Sequence, residues 1–207
     1  YIKNNWEVYG AIIIGNSCLI ILLYGLQSWV PTMLLRVYEW DLVQSGRVYG
    51  SIAMLAGSAG VLSGPFVLRY MSKINVNAPH FKLAIIGITM ATFSLVLLPF
   101  QPNVNIALVF VTMASFFVTL PLAGTSSAMV IVSPNRIRGV ITGIYVVVTS
   151  VFGLVLGPLL VASSTDFIFQ DTNAVAKSLA LVSVLVGPVG IFFMFKGINS
   201  FGEIKNV

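Results

Sequence analysis

Hydroxyl and amide side chains recur at helical spacing inside three long apolar stretches of this 207-residue chain. At about 100° per residue, Asn16, Ser17, Tyr24, Gln27 and Ser28 fall within an arc of about 120°. Thr112, Ser115, Thr119 and Ser126 share an arc of about 60°, and so do Thr142, Tyr145 and Thr149. The chemistry these groups offer is uncharged hydrogen bonding. Lipid cannot satisfy them, so the stripes must face other helices or water. Two readings stay open at this point. The groups either bond helix to helix, typically at no more than about 1 to 2 kcal/mol per contact, or line a cavity.

Other chemistry is hard to assemble. The centres of the apolar stretches hold no Asp, Glu, Lys, Arg or His. Glu7, Glu39, Asp41, Asp166 and Asp171 fall at ends or in connections, and the one histidine, His80, lies in a loop. A pump or proton relay places charge at membrane depth, so any titrating group for ion coupling must lie outside this chain. No metal cluster, activated nucleophile, phosphate-binding loop or carboxylate pair can be built, which disfavours an enzyme and leaves no metal site or cofactor to expect. Cys18 is alone, so no disulfide within the chain is possible.

The elements that position the stripes follow from composition. The chain is 57% hydrophobic and 8% charged, whereas a soluble domain is about a quarter charged. It therefore reads as an all-α integral membrane protein, with the lipid bilayer as its first partner. Apolar stretches predict spans at about 8–35, 46–70, 81–98, 104–132, 139–162 and 176–195. Six spans put both termini on one side. That side carries Lys3, Arg69, Lys73, Lys82, Arg136, Arg138, Lys196 and Lys205, against Arg36, Arg47 and Lys177 opposite, so the termini are expected in the cytoplasm. The net charge of +5 is explained by these flanking residues, without nucleic acid. Two spans also carry small-residue faces. Gly46, Gly50, Ala53, Gly57, Gly60 and Gly64 share an arc of about 80°, as do Gly139, Gly143, Ser150, Gly153 and Gly157. Such faces let helices approach closely, and let them slide. The third and sixth spans lack polar stripes and are expected to face lipid.

Several segments resemble a known family. The first span ends in Trp29-Val30-Pro31-Thr32-Met33-Leu34-Leu35-Arg36, similar to the tryptophan-proline ending of the seventh helix of major facilitator superfamily transporters. The run from Gly64 to Lys73 resembles that family's loop motif, G-x-x-x-D-R-x-G-R-K. Gly64, Arg69 and Lys73 match it, while Leu68, Met71 and Ser72 stand at the acidic, glycine and basic positions. The turn Pro134 to Gly139 and the run Gly153 to Ala162, followed by Thr165-Asp166, resemble the passage from the tenth to the eleventh helix. Within the superfamily, LPLAGTSSAM, PNRIRG and GPLLVASSTDFIF are most similar to bacterial spinster-like transporters.

The resemblance implies a carboxy-terminal six-helix domain, one half of a twelve-helix transporter in a bacterial inner membrane. Its partner would be an amino-terminal six-helix half that this chain does not contain. Alone, the lined faces would meet lipid at a cost for each unpaired polar group. The resemblance implies alternating access for an amphipathic or lipid-like small-molecule substrate, with proton coupling, if any, through residues outside the chain. Asn16, Tyr24, Gln27, Thr112, Ser115, Thr119, Thr142, Tyr145 and Thr149 would bind it, with Phe116, Phe152 and Leu156 as apolar lining and Arg36 and Arg47 at the outer mouth. A sugar-acid or organic-anion carrier of the same superfamily is the alternative substrate class. A structural membrane subunit without transport is the alternative of another kind.

Overall fold

The computed structural model describes residues 5–204, with side chains to residue 201. Lys3 and Lys205, used above for orientation, lie outside the described residues. Among those residues, six helices are long and apolar enough to cross a membrane. They are α1 (Trp6–Val37), α2 (Leu42–Lys73), α3 (Pro79–Phe100), α4 (Val104–Val132), α5 (Arg138–Phe169) and α6 (Val175–Phe201). Each extends to or past the apolar window expected from sequence, because the polar residues at the ends continue the helix beyond the greasy stretch.

Turn chemistry accounts for the short connections. The Asp41 carboxylate accepts from the amides of Val43 and Gln44 at 2.7 and 3.1 Å, which caps α2 four residues after α1 ends. Asn103 caps α4 in the same way through the Asn105 amide at 2.9 Å. Asn75, Ala78 and Gln170 adopt left-handed backbone conformations where the chain reverses.

Two spans are interrupted. α2 holds a π-turn at Ala53–Gly57, between an α-helical piece at Leu42–Ile52 and another at Ser58–Lys73. α4 breaks after Thr119 and resumes at Leu122. The cause is Pro121, which has no N–H to give the Phe117 carbonyl and whose ring crowds the preceding turn.

α1 is the centre of the bundle. It packs against α5 on one side and α6 on the other, with α4 closing a third. Leu19, Leu26, Val30, Met33 and Leu34 are wholly buried along it. α3 packs on α6 and α4, and α2 rests on α4. Lipid tails are as apolar as leucine, so close packing and polar contacts rather than hydrophobic burial hold these helices together. One such contact sets the α1–α5 distance: Gly157 lies so near α1 that a β-carbon there would come within 2.7 Å of the Ile21 carbonyl and 2.9 Å of the Gly25 nitrogen.

Burial is unequal. The most apolar stretch of α1 is 67% buried, whereas those of α2 and α5 are only 28% buried. These two helices therefore carry the open face of the bundle. Leu55, Leu62 and Phe66 on α2, and Val147, Val151 and Leu154 on α5, are more than half exposed. The glycine faces divide between the two environments. Gly60 and Gly64 pack on α4, and Gly153 and Gly157 on α1, while a β-carbon at Gly46, Gly50, Gly139 or Gly143 would meet no other helix within 4 Å among the described residues.

Candidate functional site

A recess of about 510 Å³ opens where α1, α2 and α4 meet, near the middle of all three spans. α1 contributes Leu23 and Gln27. α2 contributes Tyr49, Ala53, Gly57, Ser58, Val61 and Leu62, and α4 contributes Ser115, Thr119 and Leu122. Two consecutive turns of α4 point Ser115 and Thr119 into it, because residues four apart share a helix face. The π-turn of α2 forms one wall and the break in α4 its floor.

The lining has a definite chemistry. Gln27, Tyr49, Ser58, Ser115 and Thr119 supply neutral donors and acceptors, and the other lining residues are apolar or glycine. Among the described residues, no charged side chain lines the recess. The Ser115 hydroxyl is buried beside the Tyr49 hydroxyl and, among the described residues, meets no hydrogen-bond partner in good geometry. Thr119 donates its one proton among three carbonyls, Gly57 at 3.1 Å on α2, and Ser115 and Phe116 at 2.9 and 3.0 Å on its own helix. A site so built can hold an uncharged hydroxyl, amide or ester against Gln27 and Ser115 while hydrocarbon lies on Leu23, Val61, Leu62 and Leu122.

The nine residues expected from sequence to bind substrate separate into groups. Gln27, Ser115 and Thr119 line the recess. Asn16 and Tyr145 instead belong to a buried polar node on the Val132 side of the α4 break. The Thr125 hydroxyl donates to Asn16 Oδ1 at 2.7 Å, joining α1 to α4, and the Tyr145 hydroxyl lies 3.5 Å from that of Ser126, joining α5 to α4. Asn16, Thr125 and Tyr145 are each 2% exposed. Thr149 and Thr112 bond back to their own helices, to the carbonyls of Tyr145 and Leu108 at 2.8 and 2.7 Å. Tyr24 is half-buried with its β-carbon against Gly157. Thr142 is half-buried beside the open Gly143, and its hydroxyl has no partner among the described residues.

Tyr49 and Ser58 are lining residues that periodic polarity did not single out. A signal for Tyr49 exists: at 100° per residue it lies about 20° from Gly60, on the edge of the glycine arc. Ser58 carries none, because the π-turn just before it shifts the helical phase. The apolar lining also differs from expectation. Leu23, Val61, Leu62 and Leu122 supply it, while Phe152 lies exposed on α5 and Phe116 and Leu156 are half-buried outside the recess. In the last turn of α1 the Arg36 guanidinium donates to the Thr172 carbonyl at 3.2 Å, and Arg47, in the first half of α2, is exposed.

The loop-motif residues sit at the end of α2. Gly64 presses against the Leu120 carbonyl, while Arg69 and Lys73 are exposed. Leu68, at the motif's acidic position, is 9% exposed and packs with Leu83 and Leu120 and over Gly124. Apolar contact thus stands where the motif would place a charge.

Comparison with known proteins agrees with this architecture. No curated protein sequence matches the chain. Solved structures do, among them two of a bacterial homologue of the human lysosomal transporter Spinster, in inward-facing unoccupied and inward-facing occupied conformations. The first superposes with a TM-score of 0.76 over 99% of this chain and 51% of that one; the second scores 0.67 over 97% and 49%. Identity is 14% in both, so the likeness is one of fold. The chain spans about half the length of these structures. Residues 1–158 match the sequence profile of the Major Facilitator Superfamily. Six apolar helices, a half-length superposition and a sequence match over most of its length lead to one assignment: the chain belongs to the Major Facilitator Superfamily.

Proposed function

We propose that this chain is the carboxy-terminal half of a secondary active transporter that moves an amphipathic or lipid-like solute by alternating access. The observation that carries the reading is the mid-span recess, whose polar lining is uncharged and whose remaining walls are apolar. An organic-anion or sugar-acid carrier would want a cation at this depth, and the lining holds none. The open faces of α2 and α5 support a second six-helix half as partner, closing the recess into a central cavity. Gly46 and Gly50 lie at the start of α2 and Gly139 and Gly143 at the start of α5, on opposite sides of the membrane. Close approach is therefore available at either end, as rocking requires.

In this reading the termini face the cytoplasm of a bacterial inner membrane, and any proton coupling resides in the other half. Gln27, Ser115 and Thr119, with Tyr49, touch the solute. Asn16 and Tyr145 hold the helices that carry those contacts, while Thr149 bonds within α5. A structural subunit is the rival reading, favoured by the Asn16–Thr125 bond, a permanent contact needing no cavity. Reconstitution decides. Full-length protein in liposomes should move a fluorescent lysophospholipid with saturable kinetics and leave a radiolabelled sugar acid behind, and Tyr49→Ala or Gln27→Ala should impair that movement while the protein still inserts. Flux of the sugar acid alone, or of neither probe, would overturn the proposal.

A further inference from the structure

We infer that the π-turn of α2 and the proline break of α4 form one hinge, and that the Thr119 hydroxyl is its tie. The two irregularities lie side by side. Thr119, the last residue before the break, donates to Gly57, the last residue of the π-turn, at 3.1 Å. π-turns and proline breaks are the points at which helices bend.

The surroundings fit movement at this point. The α4 break is held between two glycine surfaces. On one side, Gly60 and Gly64 of α2 meet Thr119 Oγ1 and the Phe116 and Leu120 carbonyls. On the other, Gly87 of α3 meets the Phe117 carbonyl that Pro121 leaves free and the proline ring itself. Apart from Thr119 Oγ1 and the Pro121 ring, the nearest atoms on both sides are backbone, so the helices meet over smooth surfaces that allow sliding. The hinge also separates pieces with different partners. The first piece of α2, Leu42–Ile52, rests mainly on α1 and only lightly on the first piece of α4, while Ser58–Lys73 rests on both pieces of α4 and on α3.

Thr119 has one proton and three carbonyls within reach. Given to Ser115 or Phe116 the bond stays within α4; given to Gly57 it crosses to α2. The hydroxyl thus has two states, tied and untied. Both ends of the tie line the recess, so a guest that bonds Thr119 or crowds Gly57 competes for it and frees α2 to bend. That last step rests on the transport reading; the hinge itself does not. Thr119 on this account has two roles, a contact for the guest and the tie that positions α2.

The test needs no substrate and so stands or falls apart from the transport reading. Hydrogen–deuterium exchange is measured on full-length protein in lipid nanodiscs, comparing wild type with Thr119→Val and Thr119→Ser. Thr119→Val keeps the shape and removes the hydroxyl, and Thr119→Ser restores it. Interhelical bonds of this kind shift equilibria by about threefold on average, so amides of residues 53–61 should exchange about threefold faster in Thr119→Val and at the wild-type rate in Thr119→Ser. Should Thr119→Val fail to fold, Thr119→Ala removes the same hydroxyl with more room and must show the same local rise. Unchanged exchange at 53–61, or a rise spread equally through α1 and α4 as general loosening would give, overturns the hinge.

Discussion

Gly25 and Gly157 face each other across α1 and α5, yet adding one methyl group should have very unequal consequences at the two positions. At Gly157 a β-carbon would lie 2.7 Å from the Ile21 carbonyl oxygen, 2.9 Å from the Gly25 nitrogen and 3.1 Å from the Tyr24 β-carbon, where ordinary contact begins at 3.4 Å. Two of these three neighbours are backbone and cannot rotate away, so the helices must part. At Gly25 the nearest atoms are the Gly157 oxygen and Val161 Cγ2, both at 3.6 Å, which is ordinary contact. Forced overpacking of this kind costs about 1–3 kcal/mol, and we expect Gly157→Ala to fall in that range. Gly25→Ala should stay within about 0.5 kcal/mol of the wild type. The assay is thermal unfolding of purified full-length protein followed by tryptophan emission. Trp29 reports locally, since its indole N–H donates to the Pro158 carbonyl at 3.0 Å, next to the substituted residue. Equal destabilisation by the two substitutions, or a larger loss at Gly25, would refute the packing argument.

Three further outcomes follow from the same geometry. Asn16→Leu removes the acceptor of the Thr125 hydroxyl, which can still turn to the Leu122 carbonyl at 3.1 Å; the loss in unfolding free energy should be about 0.5–1.5 kcal/mol, measured by the same thermal assay. Trp29→Phe deletes the indole bond to Pro158 while keeping a smaller aromatic ring, and should cost about 0.5–1.5 kcal/mol, with exchange rising at the α1–α5 contact. Leu68→Asp restores the loop motif's acid but buries it against Leu83, Leu120 and Gly124. It should destabilise the full-length protein by about 2 kcal/mol or more, read as a lower melting temperature, and a gain in stability would mean the charged latch still operates here.

The spans and their polar faces are legible because both obey simple constraints: about twenty apolar residues cross a bilayer, and a hydroxyl on a helix cannot be left to lipid. What the same constraint does not distinguish is a helix partner from a wet one. Ser115 and Asn16 both lie on polar stripes, yet one lines an open recess and the other is sealed against Thr125. The difference comes from tertiary placement: α1 lies at the centre of the bundle, so its stripe is divided between the recess at Gln27 and the interior at Asn16. The π-turn of α2 has no signature in the residues Ala53 to Gly57, and it changes which side chains beyond it share a face. Ser58 enters the lining for that reason. The glycine faces are legible as faces, but only neighbouring backbones show that Gly60 and Gly157 are already packed while Gly50 and Gly143 stand open.

The account depends on the recess between α1, α2 and α4 being wet in the assembled protein. Single cysteines at Gln27 and Ser58, in full-length protein with Cys18→Ala, test this by their rate of reaction with a hydrophilic thiol reagent in native membranes. Ser94, wholly buried where α3 faces its neighbours, serves as the dry reference. We predict that Gln27→Cys and Ser58→Cys react far faster than Ser94→Cys, and that a lysophospholipid slows them. Reaction no faster than at Ser94 until the protein is denatured would contradict the account.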